Sequence, residues 1–144
     1  GTENAPADIA LAKTVRLALE NQKADRERIR QLNTWLRQAL GAIPGAKIQS
    51  PADASPFILN VSFAQITSEV LMNALDARGI CVSAKSTCES RSSSESEVLK
   101  AMGRPKSETT HAIRLSFSGN STMEEGETFV KETKEILNHY GLPL

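Results

Sequence analysis

Apolar side chains in the first third of the chain recur at helical spacing. Within residues 8–40 they follow one another at intervals of three or four positions: Ile29, Leu32, Leu36 and Leu40. This spacing places them on one face of an α-helix, and Gly41 suits its C-terminal cap. A helix of this length spans about 50 Å, which is long for a chain of 144 residues. We therefore expect the helix to need something else to pack against.

Four short segments further along have the pattern of β-strands. Residues 57–63 are rich in β-forming side chains and bounded by turn residues, and residues 111–117 alternate apolar and polar side chains. Residues 47–49 and 80–82 are shorter, and the first of them predicts an edge strand. Cys81, in the middle of the second, is expected to be a core residue.

Helical patterns separate these strands. Thr67 is the predicted cap of a helix that ends at Gly79. The inner face of this helix is predicted from four apolar residues: Val70, Leu71, Ala74 and Leu75. A short helix ends at Met102, and a last helix runs from Ser121 to about Asn138. Its first turn is acidic, which suits the positive end of the helix dipole.

The order of these elements predicts the fold class. Helix, strands, helix, strand, loop, strand and helix favour an α+β fold, in which helices cover a small, mostly antiparallel sheet and a long connecting helix precedes it. We assign residues 1–45 to the connecting helix and residues 46–144 to the small domain.

Charge and composition exclude several classes of function. Lys+Arg and Asp+Glu number 17 each, so the net charge is zero, which argues against a nucleic-acid or membrane-surface role. No apolar run approaches the roughly 20 residues of a membrane span, and the N-terminus lacks the pattern of a signal peptide. The two cysteines are expected to be reduced thiols, and the protein to be cytoplasmic.

Residues 83–97 form a polar stretch with almost no apolar side chain, which predicts a solvated, mobile loop. Cys88 lies in this loop, although free cysteine is among the most buried residue types. Lys85 and Arg91 favour its thiolate, and Glu89 opposes it. With no Cys or His nearby at ligand spacing, a metal site is not expected. From residue types alone, Cys88 is either a nucleophile or an incidental surface thiol.

Arg114 occupies the middle of the strand predicted at residues 111–117. It is either a residue of the solvated face or an anchor for an anion, because a guanidinium presents two parallel donors to a carboxylate. His111 is expected at the entry of this strand and His139 in the last turn of the final helix. Thr2 and Asn4 are accounted for as caps of the first helix.

Taken together, these segments resemble the C-terminal part of a NifS/IscS-type cysteine desulfurase, in the class V aminotransferase family of enzymes that use pyridoxal 5'-phosphate. The resemblance runs in the correct order over almost the whole chain. The matching segments are Gly1-Thr-Glu-Asn4, Asn60-Val-Ser-Phe63, Ile80-Cys-Val-Ser83, Ser86-Thr-Cys-Glu-Ser90, Glu97-Val-Leu-Lys-Ala-Met-Gly103, Ile113-Arg-Leu-Ser-Phe117 and Thr122-Met-Glu-Glu125.

The resemblance implies a fold, a reaction and site residues. The chain resembles the small domain of a fold-type I pyridoxal-phosphate enzyme, with residues 1–45 including the end of a large domain. Cys88 would take the sulfur of L-cysteine as a persulfide and release L-alanine, while Arg114 and Asn4 bind the substrate. Thr2 would contact the cofactor phosphate of a neighbouring subunit in a homodimer. The persulfide would pass to a sulfur-acceptor protein of iron–sulfur cluster assembly or tRNA thiolation.

Two features depart from the family pattern. Lys85 stands where the family usually has the glycine of Gly-Ser-Ala-Cys, and Asn120 follows Gly119 where an arginine is frequent. The lysine that binds the cofactor is expected upstream of Gly1, so we interpret the chain as a fragment that is inactive by itself. Two alternatives stay open. One is another class V enzyme, such as a selenocysteine lyase or an aminotransferase-like member, and the other is a non-enzymatic α+β interaction domain.

Overall fold

The computed structural model describes residues 1–84 and 96–141. In these residues five helices and three strands follow one another: α1 Ala5–Gly41, β1 Ala46–Ile48, β2 Ile58–Phe63, α2 Ser68–Asp76, α3 Glu97–Ala101, α4 Lys106–Thr109, β3 Ala112–Ser116 and α5 Met123–Tyr140. None of the helices in this part of the chain combines the length and the apolar character that a membrane-spanning segment needs.

The long helix α1 begins three residues earlier than its apolar pattern predicts. Asn4 caps it, because the Asn4 side chain accepts a hydrogen bond from the backbone N–H of Ala7 at 3.3 Å. Burial starts only at Ile29, which is 0% exposed, and continues to Leu40. The helix ends at Gly41, with Ala42 as the capping residue. Its first 24 residues, from Ala5 to the residue before Ile29, are almost entirely exposed.

The three strands form one antiparallel sheet in the order β1-β2-β3, which confirms the α+β prediction. One face carries the large apolar side chains: Leu59, Val61, Phe63, Ile113 and Leu115. Residues of a strand alternate between faces, so Asn60, Ser62 and Arg114 lie on the opposite, more polar face.

Helices α1, α2 and α5 pack around the apolar face and complete the core. Leu71 and Leu75 of α2 are fully buried, but Val70 is 47% exposed, so its predicted inner position is wrong. Helix α5 approaches α1 closely at Gly126, where a Cβ atom would lie 2.7 Å from a methyl group of Leu32.

The strand predicted at residues 80–82 does not form. Within the described residues, the chain there makes only an isolated bridge, between Ser83 and Arg114. Ile80 and Val82 pack against the core, and the residue between them points the other way. Cys81 is therefore exposed, and its prediction as a core residue is wrong.

The short helix α4, which no sequence pattern predicts, lies on the polar side of the sheet with α3. It contacts β2 and α3, and the backbone N–H of Ser96 donates to the carbonyl of Thr109 at 3.2 Å. Leu99 of α3 is buried between these elements. The sheet is thus covered on both faces, by the large core on one side and by a small polar-lined layer on the other.

Candidate functional site

Arg114 lies in the centre of β3, with both backbone hydrogen bonds directed away from β2. Its N–H donates to the carbonyl of Ser83 at 2.7 Å, and its own carbonyl accepts from the N–H of Ser83 at 3.1 Å. The half-buried side chain extends from the polar face of the sheet, where Asn60 is its partner in register on β2. The position from which the Arg114 side chain extends is therefore fixed by strand register and not by a loop.

A cavity of about 260 Å³ lies between this polar face and helix α3. Its described lining is Gln49, Ser50, Pro51, Ile58, Asn60, Ala84, Ser96, Val98, Leu99, Met102 and Arg114. Pockets for drug-sized ligands usually measure about 300–1,000 Å³, so this one suits a molecule nearer the size of an amino acid. Arg114 is the charged residue of the described lining, and no carboxylate there faces it.

Three buried polar atoms of the lining residues have no hydrogen-bond partner: Arg114 Nε, Asn60 Oδ1 and Gln49 Oε1. Buried polar atoms are normally paired, and one left unpaired costs about 1–3 kcal/mol. Three side chains that line the cavity therefore each keep one buried polar atom whose hydrogen bonding the described residues do not complete. The charge of Arg114 in this lining favours a polar or charged occupant over an apolar one.

Gln49 is held in one orientation by two hydrogen bonds. Its Nε2 donates to Ser62 Oγ and to Glu108 Oε2, each at 2.8 Å, and the residue is only 1% exposed. Glu108 also accepts from Lys47 Nζ at 2.5 Å. The hydrogen bond from Lys47 is the main reason why the pKa of Glu108 is lowered, with that from Gln49 adding to it and burial opposing both. This network joins β1, β2 and α4 behind the cavity.

Cys88 and Lys85 lie outside the described residues, and so does most of the loop predicted at residues 83–97. The described residues on either side of that segment are Ala84 and Ser96, and both line the Arg114 cavity. The chain that carries Cys88 therefore leaves and re-enters the described fold at this cavity.

Thr2 and Asn4 are not brought near Arg114 within this chain. Both are exposed at the start of α1, and Ile29, the first buried residue, lies 24 positions along the helix from Ala5, which corresponds to about 36 Å. The side chain of Asn4 is engaged as the helix cap. Any role of these two residues in binding would require another part of a longer protein or another subunit.

The remaining candidates have structural positions. His111 directly precedes β3, as predicted, with its Nδ1 2.9 Å from Thr110 Oγ1. His139 is in the last turn of α5, also as predicted, and its ring packs edge-on against Tyr140 with centroids 4.4 Å apart. Among the described residues, no cluster of three or more His, Cys, Asp or Glu side chains is arranged to hold a metal ion.

Gln49 and Asn60 are site residues that the sequence did not single out. Alternation along β2 places Asn60 on the polar face, but its position opposite Arg114 depends on strand register. Gln49 follows β1 with no comparable signal, because its burial depends on Glu108, which lies 59 positions later.

Comparison with known proteins gives one family and a consistent set of relatives. The family model "Aminotransferase class-V" matches residues 1–129. A "NifS/IcsS protein homolog" of Lactobacillus delbrueckii subsp. bulgaricus is 36% identical over 97% of this chain and 37% of its own length. "Cysteine desulfurase IscS" of Clostridium botulinum is 35% identical over 94% of this chain and 35% of its own length.

Solved structures agree with this result. A "NIFS-LIKE PROTEIN" superposes with a TM-score of 0.83 at 32% identity, covering 96% of this chain and 35% of that chain. A NifS-like protein from Rickettsia africae gives 0.79 at 27% identity, covering 96% and 36%. The chain thus spans little more than a third of the length of the relatives that it matches.

Proposed function

Because the chain belongs to the class V aminotransferase family, we propose that it forms the C-terminal part of a cysteine desulfurase. In this proposal the enzyme thiol of Cys88 and L-cysteine give a persulfide on Cys88 and L-alanine. The sulfur–sulfur bond forms as the bond between the substrate's β-carbon and its sulfur breaks, and a proton completes the methyl group of alanine. The observation that carries the proposal is Arg114, whose Nε has no hydrogen-bond partner, in a cavity lined by Ala84 and Ser96, the described residues on either side of the segment that contains Cys88.

Arg114 is proposed to bind the carboxylate of the substrate. A guanidinium makes two parallel hydrogen bonds to a carboxylate, which fixes orientation as well as position. Val98, Leu99 and Met102 of α3 and its C-cap provide an apolar wall of the same cavity. Because Leu99 is buried, it limits water on its side of the pair, which strengthens the electrostatic attraction.

Cys88 is proposed as the nucleophile that accepts the sulfur. It follows Ala84 by four residues, and four residues span at most about 14 Å. Because Ala84 lines the cavity, this covalent limit keeps the thiol within reach of a substrate held by Arg114. A thiolate, rather than a thiol, is the reactive form.

Pyridoxal 5'-phosphate is the proposed cofactor, but the described residues do not fit it as a complete site. No lysine is among the described residues lining the Arg114 cavity, and Thr2, proposed to reach the phosphate in a neighbouring subunit, is exposed at the far end of α1. We therefore assign the attachment of the cofactor to parts of the longer protein. When bound, the cofactor supplies an electron sink for the substrate.

The proposal also includes the setting of the enzyme. We propose a cytoplasmic homodimer that passes its persulfide sulfur to an acceptor protein of iron–sulfur cluster assembly or tRNA thiolation. Support for these statements comes from the family resemblance and from relatives named as cysteine desulfurases.

The role of Arg114 is tested by substitution in the longer protein. Arg114→Ala removes a charge-assisted pair worth about 1.5–3 kcal/mol, so the KM for L-cysteine is expected to rise about tenfold to a hundredfold. Arg114→Lys is expected to recover only part of the loss, because an ammonium cannot make the bidentate pair. Steady-state kinetics of alanine formation measures both effects.

Arg28→Ala is the matched control, since it removes a guanidinium that pairs with Asp25 on an exposed part of α1. It is expected to leave KM unchanged. Equal kinetics for Arg114→Ala and the native enzyme would remove Arg114 from the site.

A further inference from the structure

Asn60 and Arg114 face each other as closely as two residues of a sheet can. Arg114 directs its backbone hydrogen bonds to Ser83, and Asn60 directs its own to the other side, accepting from the N–H of Gln49 at 2.8 Å and donating to Ser50 Oγ at 2.8 Å. They are therefore a non-hydrogen-bonded pair of the antiparallel ladder. In such a pair the Cα atoms are about 4.5 Å apart and the side chains are closest.

These two facing side chains each leave one buried atom without a partner, and the two atoms are complementary. Arg114 Nε is a donor, Asn60 Oδ1 is an acceptor, and neither is hydrogen-bonded or reached by solvent. Water therefore does not satisfy them, although both side chains line the same cavity. Because they are not hydrogen-bonded to each other in this structure, joining them across the strand pair requires a rotation of one or both side chains.

We propose that Asn60 is the positioning residue of Arg114. When a carboxylate occupies the cavity, the Nε–H of Arg114 donates to Asn60 Oδ1, and the two Nη groups remain free for the two oxygens of the carboxylate. This inference rests on the proposed role of Arg114 as the carboxylate anchor. It adds a residue that fixes the plane of the guanidinium, so that the fork points into the cavity.

Gln49 Oε1 is the other unpaired acceptor of the cavity, but its position is less favourable. Gln49 continues β1, so it lies two strand spacings from β3, or about 9.5 Å, whereas Asn60 is on the adjacent strand. Its amide is also held by Ser62 and Glu108. Asn60, by contrast, has its backbone anchored on the β1 side and its side-chain oxygen unengaged.

The test uses the full 144-residue chain and L-alanine as the carboxylate probe, with L-alaninamide as the probe without a carboxylate. Two-dimensional NMR follows the side-chain Nε–H signal of Arg114 during titration. L-Alanine is expected to shift this signal downfield and slow its exchange with water, and L-alaninamide to do neither. In Asn60→Ala the downfield shift is expected to vanish and the affinity for L-alanine to fall about twofold to tenfold, the effect of one hydrogen bond.

Two further variants complete the comparison. Asn60→Val, which removes the acceptor with a side chain that suits a strand, is expected to behave like Asn60→Ala. Asn73→Ala removes an exposed asparagine side chain of α2 that does not line the cavity, and is expected to leave both signal and affinity unchanged.

The outcomes separate this inference from the proposed function. If Arg114→Ala abolishes L-alanine binding but Asn60→Ala and Asn60→Val alter neither the Nε–H signal nor the affinity, the positioning role of Asn60 is overturned and Arg114 remains the anchor. If the native chain does not bind L-alanine, or binds it no more tightly than Arg114→Ala does, the roles of Arg114 as carboxylate anchor and of Asn60 as its positioning residue are both overturned.

Discussion

A guanidinium that is half-buried beside unpaired amide oxygens is costly unless an anion joins it, because burial removes water that would otherwise solvate the charge. Arg114 is in this position. Its sequence context allowed either a solvated strand residue or an anion anchor, and the cavity around it, whose described lining contains no carboxylate, favours the second. For Cys81 the sequence context was misleading. Its apolar neighbours predicted that it would be buried, but they pack against the core themselves and leave Cys81 exposed.

Glu108 gives a residue-scale prediction with a defined pH dependence. Its pKa is lowered in the folded chain, first by the hydrogen bond from Lys47. A lowered pKa stabilises the fold fully above the ordinary glutamate value of about 4.3, and this stabilisation is lost as pH falls through the lower folded value. Glu108→Gln is therefore expected to lower the free energy of unfolding by about 1 kcal/mol at pH 7, and by less as pH falls through the lowered folded value.

Urea unfolding of both chains at several pH values measures this difference. Glu135→Gln is the matched control, because Glu135 pairs with Lys131 on an exposed helix surface at 4.0 Å, and its effect is expected to be small at every pH. A loss for Glu108→Gln that stays constant from pH 7 to pH 3 would contradict a role for its charge.

At the scale of elements, helix α2 shows how one face determines stability. Leu71 is 0% exposed and its neighbour Val70 is 47% exposed, so the two differ in burial within one helix. Leu71→Ala is expected to cost about 2–5 kcal/mol, through lost burial and the cavity left behind. Val70→Ala is expected to change stability by about 0.5 kcal/mol or less. Similar losses for the two variants in thermal or urea unfolding would mean that α2 packs differently.

Local patterns predicted those elements whose formation depends on local chemistry. The strands around Val61 and Ile113 alternate as their burial requires, and their bounds were predicted to within one residue. The helix with Leu71 starts after its predicted cap but ends at Asp76, three residues before the predicted end. The patterns failed where the local structure depends on contacts with residues distant in the sequence. Residues 80–82 stay outside the sheet, and the chain bridges to Arg114 only at the next residue, Ser83. Helix α4 forms where the chain turns after Pro105.

The residues of the candidate site also differ in how far the sequence could predict them. Arg114 could be named from its residue type in a strand, whereas Asn60 acquires a role only through the register that places it opposite. The burial of Gln49 depends on Ser62 and Glu108, which the sequence does not show to be near it. Which residues lie opposite each other in a sheet depends on the register of two strands in the folded chain, so the sequence of one strand alone does not give it.

At the scale of the whole molecule, the first part of α1 extends beyond the core. Its large apolar residues are 42–71% exposed: Ile9, Leu11, Val15, Leu17 and Leu19. Tertiary packing supplies most helical stability in proteins, so this part is expected to be less stable than the part after Ile29. The assignment of residues 1–45 to a connecting helix and the end of a large domain stays a prediction.

Hydrogen exchange of the 144-residue chain measures this difference. Backbone amides of α1 before about residue 25 are expected to exchange much faster than those of residues 29–40, because local opening there breaks few buried contacts. Equal protection along the whole of α1 would mean that the first part is packed in solution against a surface that the isolated fold does not provide.

The central claim is that this chain carries the sulfur-accepting cysteine of a desulfurase, and the most direct measurement is the site of sulfur after reaction with L-cysteine. The longer protein is incubated with L-cysteine, and peptide mass spectrometry locates the added sulfur while alanine is quantified. The account predicts one additional sulfur atom on Cys88 and the formation of alanine. Both are lost in Cys88→Ser and retained in Cys81→Ser, and the 144-residue chain alone forms neither product. Undiminished release of alanine by Cys88→Ser, or a persulfide on Cys81 with none on Cys88, would contradict the account and favour another member of the class V family.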